Sequence, residues 1–494
     1  MVICFKGNKF KYEIEAIMKL FLPIVSFGFV FIDDGEAMPE AMLCDKEDKC
    51  ICTREYKEND TRLLSINISL NGDNAVQTEL VHNDNDDEMS LCRMLFNCLQ
   101  KLTNITPAWG CLTGIRPVKK VNALLDNGYN KNEIFKLLKD KYYVSNEKLE
   151  LAYQTALTQS VYLNSLEKNS YSLYISIPFC PSRCSYCSFV SHSIENDSAK
   201  KLLPQYIEKL CLELEFTSKL AYELGLKLDT IYIGGGTPTS LSADFIEILM
   251  QSVKKNFDIS SVREYTVEAG RCDTITSDKL KSIINNGATR ISINPQTMND
   301  NVLQKIGRRH FAEDVITSFK LARSIGFGNI NMDIIAGLPT DTLEGFRYTI
   351  DTLCELAPES ITMHTLTVKR SSDLFSETNL RLDEDIAEMV SCGHKMLWQS
   401  GYLPYYLYRQ KNTLESLENV GYAKRGYESL YNIYIMEEAQ TILACGAGGG
   451  TKLVNPITNK IERVFNYKFP YEYISRFDKM MEKKNAISEF YLNI

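Results

Sequence analysis

Tyr171–Cys187 reads YSLYISIPFCPSRCSYC, a strand-like run that passes through Pro178 into a loop with three cysteines. The same alternation continues downstream. LPQYIEKLCLELEFTSKLAYEL (203–224) has apolar residues at helical spacing, DTIYIGGG (229–236) is a strand entering a glycine turn, and SADFIEILMQSVKKNF (242–257) is again helical. EYTVEAG, ATRISIN, NINMDIIAG and SITMHTL look like four further strands, each followed by a helical segment. Six β-then-α units in series imply a parallel sheet. Six are fewer than the eight of a closed barrel, so a partial (β/α)6 barrel and an open doubly wound sheet both fit.

The chain has 494 residues, more than one hydrophobic core supports, and domains of about 100–200 residues predict two or three. The expected division is an amino-terminal α+β domain over 1–165, the βα units over 166–400 and a tyrosine-rich carboxy-terminal region over 401–494. The stretch HNDNDDEMS (82–90) reads as an exposed acidic loop. A net charge of −8 argues against a general nucleic-acid binder. The apolar run Leu20–Ile32 contains Pro23 and is shorter than the roughly 20 residues that span a bilayer, so it reads as buried strand or helix. No signal-peptide pattern precedes the 15 cysteines, which points to a reducing cytoplasm and to metal rather than disulfides.

Cys180, Cys184 and Cys187 have the spacing C-x3-C-x2-C. A structural zinc site wants four ligands, commonly as two separated pairs, and no second pair follows. Cys211 lies on the apolar pattern of a helix and reads as core. His192 is the next residue with metal-ligand chemistry. An iron–sulfur cubane fits better, because three thiolates from one loop hold three irons and leave the fourth open to a ligand. Gly234, Gly235, Gly236, Thr237 and Pro238 follow a strand and allow close approach of a ligand to the backbone. Glu268, Gln296, Arg308 and Asp333 stand at or beyond strand ends, where ligands of parallel α/β proteins bind. Together they offer carboxylates for an ammonium or hydroxyls and a guanidinium for a carboxylate.

The cysteine motif resembles that of the radical S-adenosylmethionine (SAM) superfamily. The surrounding residues narrow the resemblance: Tyr174-x-x-x-Pro178-Phe179-Cys180, the GGGTPT turn, Gln296, Arg308 twelve residues on, and Asp333 before GLP. These resemble the oxygen-independent coproporphyrinogen dehydrogenase family. GCLTGIRPVKKV, YYLYRQKN and YNIYIMEEAQTILACGAGGGTK extend the likeness to its HemZ-type branch over nearly the whole chain. The resemblance implies an α/β fold, a partial (β/α)6 radical SAM barrel with an amino-terminal α+β domain and a carboxy-terminal extension. It implies a [4Fe–4S] cluster on Cys180, Cys184 and Cys187, and SAM, with a second SAM in the well-characterised dehydrogenases. Tyr174, Gly235, Gly236, Thr237, Glu268, Gln296, Arg308 and Asp333 become the expected SAM contacts. The implied reaction is oxidative decarboxylation of coproporphyrinogen III to protoporphyrinogen IX. The implied partners are that tetrapyrrole and a low-potential donor such as flavodoxin or ferredoxin, with no nucleic acid and no membrane.

Two positions depart from the dehydrogenases, which read Tyr-x-His before the cluster and C-x-C at its end. Here Ser176 and Phe189 stand there, and the related heme-chaperone branch also has phenylalanine at the latter. The alternatives are therefore a heme-binding chaperone or a radical SAM enzyme acting on another tetrapyrrole. His82, His192, His310, His364 and His394 are then the candidate heme ligands, and Arg370, Arg409 and Lys411 the candidate partners of propionates.

Overall fold

Six parallel strands lie side by side in chain order: Ser170–Ile177, Lys227–Gly235, Glu264–Glu268, Arg290–Ser292, Ile330–Ala336 and Ser360–Thr365. The computed structural model describes the chain except for residues 24, 34–49, 59–60, 81–85, 190–191, 369–371, 373, 375–384, 411–412 and 493–494. An order that never reverses decides between the two expected architectures. A doubly wound sheet changes direction at a switch point, whereas right-handed crossovers that all step the same way put every helix on one face. The sheet is therefore a partial barrel that does not close on itself. Its strands are almost wholly buried, as both-face coverage requires.

The connecting helices start where polar caps allow. Asn196, Ser242, Thr276, Asn299, Thr342 and Asp385 each accept a backbone N–H of the first helical turn. The carboxy-terminal residues continue the same sheet at both edges. Glu418–Ala423 pairs antiparallel with the sixth strand, and Leu403–Arg409 pairs outside it. Thr441–Cys445 pairs parallel with the first strand, followed by Gly450–Val454 and Ile461–Phe465. Buried His394, from the helix Ile386–Gln399, meets Glu418 at 2.7 Å and also Tyr422, which ties that helix to the added edge.

The chain divides into two compact units, Met1–Tyr153 and Gln154–Ile494. In the first, the strands run Gly28–Ile32, Val2–Lys6, Cys50–Glu58, Thr61–Leu70, Asp73–Leu80, with the first two pairings parallel and the others antiparallel. The helices Lys11–Phe21 and Asp87–Thr103 share one core with this sheet through Ile17, Met18, Leu91 and Leu95. The apolar run at 20–32 supplies the end of the first helix and the strand Gly28–Ile32. The acidic stretch at 82–90 departs from the expected loop: it is helical from Asp87, whose buried carboxylate pairs with Arg62, and residues 82–85 lie outside the described ones. Among the described residues no helix is long and apolar enough to cross a membrane.

Candidate functional site

The first strand delivers the cysteine loop. Phe179–Cys180 pairs briefly with His192–Ser193, Cys187 N–H donates to the Cys184 carbonyl at 3.0 Å, and Ser185 N–H donates to the Ile306 carbonyl. All three cysteines line one cavity of about 260 Å³ at the carboxyl ends of the strands. Thr237 Oγ1 donates to Cys180 Sγ at 3.4 Å, and Arg271 Nη1 lies 3.8 Å from Cys184 Sγ. Burial pushes the Cys187 thiol up to about 11, and the other two cysteines add to the shift. A bound cation reverses that preference, because coordination deprotonates the thiol.

The glycine turn closes against the same loop. Gly236 N–H donates to the Ile177 carbonyl at 2.8 Å, and Thr237 N–H to the Phe179 carbonyl at 2.7 Å. A Cβ on Gly236 would stand 2.6 Å from the Phe179 carbonyl oxygen, so only glycine fits. Among the described residues no three His, Cys, Asp or Glu groups converge as a ligand set for one ion. A multi-iron cluster does not require convergence, since each thiolate binds a different iron. Three thiols on one loop, open to a shared cavity, fit that group.

The other walls carry Glu268, Gln296, Arg308 and Asp333. Tyr232 donates to Glu268 Oε1 at 2.5 Å. Burial raises the Glu268 carboxyl to about 7; Tyr232 opposes the shift and Asp333 adds to it. Gln296 follows Pro295 in a left-handed backbone conformation, φ 69°, that few non-glycine residues adopt. Its N–H donates to the Asp333 carbonyl and its own carbonyl accepts from Ile335 N–H, so the sheet holds the turn. Asn331 donates to Asp333 Oδ1 at 2.7 Å. Buried Arg308 donates to the Gly270 and Asn294 carbonyls and to Tyr186 of the cysteine loop, at 3.0, 3.3 and 2.9 Å. Its Nε has no partner among the described residues.

Cys180, Cys184, Cys187, Gly235, Gly236, Thr237, Glu268, Gln296, Arg308 and Asp333 thus meet around one cavity. Tyr174 does not line it. It faces an adjoining cavity of about 180 Å³ with Ser176, Ala447 and Lys468, and the two spaces share Gly235, Ser188 and Phe189. Of the histidines, only His364 lines the first cavity among the described residues. His310 is buried and pushed down to about 4 by that burial, and His394 is held by Glu418. Arg409 is buried and donates to the Ser416 carbonyl, and Cys211 is only partly buried. His82, Arg370 and Lys411 lie outside the described residues. Sequence reading did not find Arg271, Tyr186 or Asn419. Arg271 and Tyr186 sit beside recognised residues, whereas Asn419 reaches the cavity only because a carboxy-terminal strand pairs with the sixth strand.

Residues 174–353 match the family model described as the radical SAM superfamily. The chain is 40% identical over 394 residues, 78% of each chain, to the oxygen-independent coproporphyrinogen-III oxidase-like protein HemZ of Bacillus subtilis. It is 32% identical over 334 residues to the heme chaperone HemW of Haemophilus influenzae, covering 65% of this chain and 81% of that one. The solved structure of coproporphyrinogen III oxidase (HemN) from Escherichia coli, described as a radical SAM enzyme, superposes with a TM-score of 0.51 at 22% identity. That match covers 66% of this chain and 73% of the other.

Proposed function

Because the chain belongs to the radical SAM superfamily, in the HemZ-type branch of the oxygen-independent coproporphyrinogen III oxidase family, we propose that its cavity decarboxylates coproporphyrinogen III to protoporphyrinogen IX without oxygen. The superfamily implies a [4Fe–4S] cluster and SAM. The observation that carries the reading is the meeting of three loop thiols with Glu268, Gln296, Arg308 and Asp333 around one space. Cys180, Cys184 and Cys187 would hold the cluster. When bound, it supplies the electron that cleaves SAM to methionine and a 5′-deoxyadenosyl radical, which takes hydrogen from the substrate.

The protein's own part is positioning. Arg308 pins the cysteine loop through Tyr186 and carries positive charge beside the space for SAM. Glu268 and Asp333 offer acceptors to its ammonium and ribose hydroxyls, and Gln296 lies between them in the wall. Each propionate gives up one hydrogen atom, one electron and CO2, so an electron acceptor is required. A low-potential donor such as flavodoxin or ferredoxin reduces the cluster, which suits a cytoplasmic setting.

Alanine at Cys180, Cys184 or Cys187, followed by anaerobic reconstitution, is expected to abolish the full complement of iron and sulfide. Anaerobic incubation with coproporphyrinogen III, SAM, a low-potential reductant and a one-electron acceptor is expected to yield vinyl groups on two rings. Accumulation of 5′-deoxyadenosine with every propionate intact rejects the decarboxylation and points to another tetrapyrrole. The likeness to HemW, together with Ser176 and Phe189, favours a second reading as a heme-binding chaperone. Tight heme binding and transfer without SAM consumption would establish it.

A further inference from the structure

The wall formed by the sixth strand carries two polar side chains that neither the cluster nor the expected SAM contacts use. His364 lies near the end of Ser360–Thr365, and Asn419 lies on the antiparallel strand Glu418–Ala423 beside it. Both line the cavity of the three cysteines. Asn419 is 2% exposed, and its Oδ1 accepts the Thr365 N–H at 3.0 Å. A backbone N–H can only donate, so it fixes the amide with oxygen toward Thr365 and NH2 the other way. That NH2 has no hydrogen-bond partner among the described residues. A buried donor left unmade is costly, and the residue that carries it is one of those lining the cavity of the three cysteines.

The same oxygen fixes the histidine. His364 Nδ1 lies 3.3 Å from Asn419 Oδ1, so Nδ1 carries the proton and Nε2 is the nitrogen left for other contacts. Asp333 Oδ2 lies 3.9 Å from Nε2, so the ring edge faces the cavity wall that carries Asp333. With a carboxylate bound, an Nε2–H on this ring and the neighbouring amide NH2 would match its two oxygens, the doubly protonated ring pairing with the anion. We propose that His364 and Asn419 form a docking point for a carboxylate of the substrate, a propionate of the tetrapyrrole. This assignment rests on the tetrapyrrole reading above. SAM also carries a carboxylate, so the test separates the two sources.

The probes are coproporphyrin III, its tetramethyl ester and SAM, titrated anaerobically into the full-length, cluster-reconstituted chain. Asn419→Asp keeps the acceptor for Thr365 and removes the amide donors, while His364→Ala removes the imidazole; iron content reports that each variant is assembled. The expected result is that wild type prefers the acid to the ester. Each variant should weaken coproporphyrin III by about 10- to 100-fold while leaving the ester and SAM unchanged. Unchanged binding of the acid in both variants overturns the docking point alone. Loss of SAM affinity in its place assigns the contact to the cofactor and also overturns it. A wild type that binds neither porphyrin removes the tetrapyrrole reading itself, and the docking point with it.

Discussion

Glu268→Gln tests the electrostatics of the cofactor wall. The carboxyl titrates near 7 because burial disfavours its charge, with Asp333 adding to the shift, although Tyr232 and the Gly235 N–H favour ionisation. The unfolded value is 4.5. A carboxyl raised on folding holds its proton more tightly in the native state. Its contribution is therefore most favourable below the unfolded value, and it is lost as pH climbs from 4.5 to about 7. The shift corresponds to a ceiling of about 3 kcal/mol, and water entering the cavity reduces this to about 1–2 kcal/mol. Glutamine keeps the acceptor for the Tyr232 hydroxyl and carries no charge. In urea unfolding of the cluster-free chain, Glu268→Gln should match wild type near about pH 3.5, below the unfolded value, and exceed it by about 1–2 kcal/mol near about pH 8. SAM affinity should move the opposite way, falling by about tenfold or more as the acceptor proposed for its ammonium loses charge. A stability difference that does not change with pH refutes the reasoning, because it removes ionisation as the cause.

Gly236→Ala should cost iron incorporation, since its Cβ would meet the Phe179 carbonyl oxygen at 2.6 Å next to Cys180; iron and sulfide content after reconstitution measures it. Arg308→Lys keeps the charge but cannot span the Gly270 and Asn294 carbonyls and Tyr186. The loss of about 1.5–3 kcal/mol should appear as faster iron release to a chelator. Lys484→Met leaves Glu213 buried without the ammonium 2.7 Å away, a loss of about 3–5 kcal/mol in urea unfolding that Glu213→Gln in the same chain should largely restore.

The six strands were legible because each is a short apolar run bounded by turn residues and spaced by a helix. The spacing left open whether the sheet was doubly wound, since that depends on the order of strands in space. The cysteine loop and the four polar positions were legible because each lies just beyond a strand end. Tyr174 shows the limit. It lies in the first strand as expected, yet strands alternate their faces and twist, and the ring opens into the neighbouring space. Asn419 shows another: its part in the site follows from a long-range antiparallel pairing, for which the local pattern of ENVGYA carries no signal.

The two departures from the dehydrogenase pattern have different structural settings, and the second yields a prediction. Ser176 is buried, its hydroxyl donates to the Ala447 carbonyl at 2.7 Å, and Tyr206 bridges the Ser176 carbonyl and the Ala447 N–H. A Cβ on Gly446 would stand 2.5 Å from the Ser176 carbonyl oxygen, so the glycine-rich carboxy-terminal turn packs directly against this strand. Loss of a hydrogen atom, an electron and CO2 from a propionate carboxylate balances without a proton, so serine here is compatible with the chemistry. Phe189 is 63% exposed where the two cavities meet. A large exposed ring at the mouth of a site gains by covering an apolar ligand, and the pyrrole rings of a tetrapyrrole offer faces for it. Phe189→Ala should weaken coproporphyrin III by about 10- to 150-fold, from about 1.5–3 kcal/mol of aromatic contact. The tetramethyl ester should suffer equally, because this contact does not depend on carboxylates, while iron content stays at the wild-type level. Equal porphyrin affinity in Phe189→Ala and wild type would place the macrocycle elsewhere.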